Sequence, residues 1–181
     1  MREISLHILD IAENSVAAQA KNILISVEEN TESDRLCISI QDDGKGMDEK
    51  MVSRVIDPFT TSRTTRKVGL GIPLLKEAAE TCNGFLIITS QPGSGTSVNV
   101  EFELNHIDRM PLGNLKDTFF SLFIAFPEIH WIFKYYRNGN GFYFDDAEMK
   151  KELQGVSLTE PPVLSFFRDL FENGLLNVHK N

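Results

Sequence analysis

Cysteine is scarce: the 181 residues hold two, Cys37 and Cys82, each inside an apolar stretch, so no disulfide framework is expected and both thiols are expected to be reduced and packed. No apolar run approaches the roughly 20 residues that cross a bilayer, and the Phe-rich stretch beginning at Phe119 stops at Pro127. No hydrophobic or Arg-rich leader precedes the first helical pattern, so the expected location is the cytoplasm, without membrane attachment. Positive charge is in deficit, with 18 Lys and Arg against 26 Asp and Glu and a net charge of -8. Such a chain grips nucleic acid phosphates poorly, and no nucleic acid partner is expected. Also missing are any G-x-x-x-x-G-K-[ST] loop and, after Gly69 and Gly71, the third glycine of the dinucleotide fingerprint. Walker-type and Rossmann sites lose their main support.

What the chain has is an ordinary hydrophobic fraction, 41%, enough for a core without staples. Helical spacing runs from Ile4 to Lys21, with Glu3, His7, Asp10, Asn14 and Lys21 in one polar stripe on an otherwise apolar helix. Two β-rich runs follow, Asn22 to Glu28 and Arg35 to Gln41, then a short helix from Asp48 to Ile56. A polar loop, Asp57 to Val68, leads to a helix from Gly71 to Thr81, with Pro73 in its first turn. Strands over Gly84 to Ser90 and Thr96 to Leu104 are joined by a QPGSG turn. The pattern breaks between His106 and Gly113, which sets an expected boundary between residues 1–105 and a small α+β region, 106–181. In that region a helix (Asn114 to Ala125), two strands about Asn138-Gly139-Asn140, and two more helices are expected.

Four local patterns carry chemistry. Asp10 and Asn14, four apart on a helix, project toward one point. The asparagine offers a neutral oxygen that magnesium accepts when phosphate and water fill the rest of its octahedron, and the carboxylate can take a proton. The run Asp42-Asp43-Gly44-Lys45-Gly46-Met47 ends a strand in D-x-G-x-G form. A strand-end carboxylate can accept from an adenine amino group, and glycines let the backbone approach a ring. The third pattern, Gly69-Leu70-Gly71, opens a helix whose free amides attract phosphate oxygens. The fourth is Gly93-Ser94-Gly95-Thr96, whose hydroxyl can reach an adenine nitrogen through water. Taken singly, each also reads as a solvated stripe, an acidic turn, a packing loop or a hairpin.

In order and spacing, DIAENS, DDGKGM, GLG and GSGT resemble the N-box, two glycine boxes and GxGT element of the superfamily of gyrase, heat-shock chaperone, histidine kinase and mismatch-repair ATPases. The stretch from Asp57 to Leu104 is similar to the catalytic domain of sensor histidine kinases, including the box around Phe59. The resemblance implies a two-layer α/β sandwich of Bergerat type, a mixed and largely antiparallel sheet with helices on one face, binding ATP and Mg2+. It makes Asn14 the magnesium ligand, Asp42 the adenine-binding carboxylate and Thr96 its helper, with Gly44, Gly46 and Met47 beside the base. The loop from Thr60 to Lys67 becomes the mobile lid, with Arg63, Arg66 and Lys67 as phosphate contacts and Gly69, Leu70 and Gly71 at its far end. Asp10 stands where relatives place a glutamate base, one methylene longer. For His7 a structural role is expected.

Met1 lies just before the first motif, so the expectation is a chain without the phosphoacceptor-histidine module of a sensor kinase. Three activities fit: a stand-alone protein kinase similar to the anti-sigma-factor kinases, a slow ATPase that changes the surface offered to a protein partner, or a nucleotide-dependent interaction module with little turnover. The C-terminal region is read either as a partner-docking or regulatory appendage or as a cover for apolar surface. Oligomeric state is left open.

Overall fold

The computed structural model describes residues 3–57 and 71–178. Its elements run α1 (Ile4–Ala17), β1 (Asn22–Asn30), β2 (Arg35–Asp42), α2 (Glu49–Ile56), α3 (Gly71–Thr81), β3 (Phe85–Gln91), β4 (Gly95–Glu103), α4 (Leu115–Ala125), β5 (His130–Arg137), β6 (Asn140–Asp145), α5 (Asp146–Glu152) and α6 (Pro161–Val178). The strands form one mixed sheet in the order β3-β4-β2-β1-β5-β6, in which only the β1–β5 pair is parallel. The α+β class expected from the sequence is the one found.

Period-two alternation decides which face is covered. Ile23, Ile25 and Val27 of β1, Leu36, Ile38 and Ile40 of β2, Val98, Val100 and Phe102 of β4, and Trp131, Phe133 and Tyr135 of β5 are all buried, and the register places them side by side. Against this face α1 packs on α3 and α4, and α4 on α6. The intervening residues point to the other, open face. Cys37 is one of them, so it is exposed while Cys82 is buried, correcting the expectation of two packed thiols. The outward parity of position 37 in β2 outweighs its apolar neighbours.

α1 ends four residues earlier than its periodicity suggests. Gln19 takes a left-handed conformation (φ 63), its amide bonds the Val16 carbonyl at 2.9 Å, and Ala20 bonds back to Ser15 at 3.2 Å. This is a Schellman closure with glutamine in the place glycine usually fills. Lys21 therefore falls outside the polar stripe. His7 is only 2% exposed, so the stripe turns inward at its N-terminal end.

The break at residues 106–113 folds back over α1. Ile4 N–H donates to the Pro111 carbonyl at 3.0 Å and Ser5 N–H to that of Leu112 at 2.8 Å, supplying the capping that Glu3 does not. Beyond it, β5 joins β1 along eight residue pairs, so the strands of the C-terminal region extend the sheet of the first hundred residues. Most aromatic side chains of this region are core, with Phe119 stacked on Phe133 at 4.6 Å and Phe144 packed on Phe171 at 4.7 Å, while Tyr143 and Phe166 are exposed. Of Trp131, Tyr135 and Tyr136, aromatic residues that suit either a cover for apolar surface or a docking role, the first two are buried and Tyr136 is half-buried. Tyr135 donates to the buried Glu29 carboxylate at 2.5 Å; burial and that anion push the phenol well up.

Candidate functional site

At one end of the sheet, where β2 stops and the β3–β4 turn begins, a cleft of about 730 Å³ opens, lined by Asp42, Met47, Ser90, Gly95 and Thr96 among others. Register explains the convergence. Asp42 pairs with Thr96 and Thr96 with Ser90, so three polar residues continue the helix-facing rows of Ile, Val and Leu at the point where the helices no longer cover them.

Asp42 is held from three directions. Its Oδ2 accepts from Ser15 Oγ on α1 at 2.6 Å, and its Oδ1 from the Gly44 amide at 2.9 Å and the Thr96 amide at 3.3 Å. Ser90 Oγ accepts from the Met47 amide at 2.8 Å and lies 2.9 Å from both the Gly95 carbonyl and Thr96 Oγ1. A hydroxyl has one proton; if Ser90 donates to Gly95, Thr96 must donate to Ser90. Ser15 and Ser90 were not singled out from the sequence. The signal for Ser15 was present: a serine one turn beyond Ile11 and Ala12 on the buried face of α1.

The glycines make the close approach possible. A Cβ on Gly46 (φ 66) would sit 1.9 Å from the Gln91 carbonyl oxygen, and one on Gly95 (φ 89) 1.9 Å from that of Asp42. Neither position can hold another residue without moving backbone. The 43–47 loop is further tied by Lys45 N–H to the Ala18 carbonyl (2.9 Å) and by Gly93 N–H to the Lys45 carbonyl (2.7 Å). In this structure Gly44 lies against Ala18 and Asp42, and Gly46 against the β3–β4 turn.

On α1, Asn14 is exposed, and Asp10, one turn back, is partly buried. Asp10 Oδ2 is buried without a hydrogen-bond partner among the described residues. His7 packs where α1 meets the start of α3. Burial holds its imidazole below the ordinary histidine value, and a hydrogen bond to the Gly71 backbone opposes that shift. Its Nδ1 is also buried and unpartnered among the described residues. Gly71 itself is buried as the first residue of α3. Thr60, Arg63, Arg66, Lys67, Gly69, Leu70 and the Phe59 box lie outside the described residues. The structure thus brings Asp42, Met47 and Thr96 to one cleft, with Gly44 and Gly46 packed in the loop between Asp42 and Met47, and Ser15 joins Asp42 to the helix that carries Asp10 and Asn14.

Residues 2–106 match the family described as histidine kinase-, DNA gyrase B- and HSP90-like ATPase. The chain is 35% identical over 75 residues to the sensor histidine kinase YxdK of Bacillus subtilis, covering 39% of this chain and 23% of that protein. It is 29% identical over 114 residues to the signal transduction histidine-protein kinase AtoS of Escherichia coli, covering 63% and 17%. The matched stretch is thus less than a quarter of either relative. Among solved structures, the Aquifex aeolicus MutL ATPase domain complexed with ADP superposes with a TM-score of 0.53 at 15% identity, over 85% of this chain and 68% of that one. The N-terminal domain of a DNA repair protein superposes with a TM-score of 0.55 at 15% identity, over 86% and 57%. At that identity the likeness is one of fold, and it extends over more of the chain than the family match alone.

Proposed function

Because the chain belongs to the histidine kinase-, DNA gyrase B- and HSP90-like ATPase family, we propose that its cleft binds ATP with magnesium, and that the nucleotide is used to act on or regulate a protein partner, as a protein kinase or a slow ATPase. The observation that carries this reading is the state of Asp42. A carboxylate has about four lone-pair sites. Ser15, Gly44 and Thr96 occupy three, which leaves one on Oδ2 for a donor entering the cleft that Asp42 lines. An adenine amino group is such a donor, and Thr96 stands beside it for a ring nitrogen. The ADP bound to the MutL domain of the same fold supports an adenine nucleotide, and the sensor-kinase relatives support a protein as the target.

Asp10 and Asn14 fit a magnesium-assisted phosphoryl transfer. Asn14 would hold the ion through its exposed amide oxygen, and a bound magnesium would neutralise charge on the phosphates. Asp10 would accept the proton of the attacking water or hydroxyl; its unpartnered Oδ2 has an unused acceptor for that purpose. The remaining phosphate contacts are assigned by the family resemblance to Arg63, Arg66 and Lys67 of the loop that begins at Thr60, with Gly69, Leu70 and Gly71 at its far end. The feature that favours an interaction module instead is the length of Asp10, one methylene shorter than the glutamate base of relatives. Incubation with labelled ATP and magnesium, with and without co-purifying proteins, separates the readings. Label on a partner means kinase, free phosphate alone means ATPase, and binding without either means a module. Failure to bind ATP would contradict the proposal as a whole.

A further inference from the structure

Outside the cleft, a second group of polar side chains gathers where β5 begins and β6 ends. β5 and β6 are antiparallel, so His130 and Asp145 meet, and Asp146 opens α5 directly after. One ligand atom from each of the three lies within 4.8 Å of the others. We propose that His130, Asp145 and Asp146 form a binding site for a divalent transition-metal ion of the zinc class.

Hydrogen-bond accounting leads there. Asn22 Nδ2 donates to Asp43 Oδ2 at 2.6 Å, and the reverse amide orientation would place two oxygens at that distance. Asn22 Oδ1 therefore faces His130 Nδ1 at 2.8 Å, and Nδ1 must carry the proton. The lone pair of the neutral ring is then on Nε2, aimed at Asp145 Oδ1 (2.8 Å) and Asp146 Oδ1 (3.9 Å). A second ring proton would satisfy Asp145 and leave Asp146 as it is. Asp146 is 0% exposed, and its Oδ1 has no hydrogen-bond partner among the described residues. Lys150 lies against the other oxygen, Oδ2, at 2.5 Å, and the Trp131 backbone amide lies close enough to stabilise the anion. A buried acceptor left unmatched is destabilising, because it has lost its water and gained no donor. A cation placed among the three atoms meets all of them at once.

The spacing suits such an ion. Bonds of about 2.0–2.2 Å at tetrahedral or cis-octahedral angles put ligand atoms roughly 2.8–3.6 Å apart; the His130–Asp145 pair, at 2.8 Å, is already there, and Asp146, 3.9 Å from His130 and within 4.8 Å of both, must draw in by a small side-chain rotation when the ion binds. Imidazole with two carboxylates is a donor set for zinc, cobalt, manganese or iron, and supplies too few oxygens for calcium. The Nδ1–H···Oδ1 bond to Asn22 is the kind of outer contact that fixes a ligand histidine's tautomer. Lys150 offsets one carboxylate charge, so the site holds its ion less tightly than an unaccompanied triad, with water in the open positions. Through Asn22 and Asp43 the site touches the loop that follows Asp42, and through Asp145 it touches the cap of α5.

The test is titration of chelator-treated, nucleotide-free full chain with Zn2+ by calorimetry, repeated with Co2+ for its visible absorption. One equivalent per chain is expected, lost in His130→Ala, and weakened about 10- to 100-fold in Asn22→Ala, which removes only the outer contact. Asp145→Asn keeps the α5 cap and guards against misfolding; it should bind at least about tenfold more weakly. No saturable binding by the parent chain, or equal binding by His130→Ala, would overturn the site, as would nitrogen NMR showing both His130 ring nitrogens protonated in the presence of Zn2+.

Discussion

Along the sheet the buried face changes from aliphatic to aromatic, and the two halves differ in what their side chains do. Under β2, β4 and β3 the core is mostly Ile, Val and Leu from strands and from α1 and α3, with Phe102 of β4 its one large ring among the described residues, and the strand ends carry Asp42, Ser90 and Thr96 among glycines. Under β5 and β6 it is Phe119, Phe123, Trp131, Phe133, Phe144, Phe167 and Phe171, stacked, tilted or edge-on. Aromatic rings bury much area per residue and hold elements together. Small and branched residues give up area but let loops approach closely enough to aim carboxylates and amides. The comparison assigns stability chiefly to the second half and recognition chiefly to the first, although one sheet joins them.

The largest expected effect falls on the aromatic side. Phe171→Ala removes a ring packed on Phe133, Phe142 and Phe144 and should cost about 3–5 kcal/mol in urea unfolding, with ATP affinity of the folded fraction unchanged. A parallel loss of affinity would merge the two halves. Next, Gly95→Ala strains a positive φ and drives a Cβ toward the Asp42 carbonyl. It should cost about 1–3 kcal/mol in stability and also abolish nucleotide binding, the reverse of the Phe171 result. Ser15→Ala leaves both cores intact but removes one of the three groups holding Asp42. Its effect should be about tenfold on ATP affinity by calorimetry, since a hydrogen bond to a charged group contributes roughly 1.5–3 kcal/mol and water replaces part of it. The smallest is a pH effect at His7. Its folded-state value lies below 6.5 because the ring is buried, so below about pH 6.5 the unfolded chain takes up the proton first and stability falls as pH falls. His7→Gln should flatten that slope in melting temperatures measured between pH 7 and 5, and an unchanged slope would place the acid sensitivity elsewhere.

Much of this was legible because local signals agreed. Apolar alternation marks β1, β2 and β4, β-branched and aromatic runs mark the other strands, Asp48 and Asn114 stand as caps before α2 and α4, and Asn138-Gly139 takes the two left-handed positions of a tight hairpin turn. The grouping of Asp42, Gly44, Gly46, Met47 and Thr96 followed from motif order, because a register of antiparallel strands converts strand-end positions into neighbours. What stayed hidden is what long separations decide. Ser15 reaches Asp42 across 27 residues and His130 reaches Asn22 across 108, and neither sequence position announces the contact. The parallel docking of β5 on β1 is of the same kind: no composition near residue 130 says which strand it will join. The inward turn of His7 and the exposure of Cys37 depend on which face of an element meets the sheet, and small errors in helix length or strand parity reverse such assignments.

The account rests on Asp42 as the acceptor for an adenine amino group. In Asp42→Asn the amide oxygen is best kept against the Gly44 and Thr96 amides, which turns the NH2 toward the cleft, donor facing donor. Calorimetric titration of the folded variant with ATP should show affinity weakened by roughly 10- to 150-fold, the equivalent of 1.5–3 kcal/mol, with little change in melting temperature. Affinity equal to that of the parent chain would contradict it.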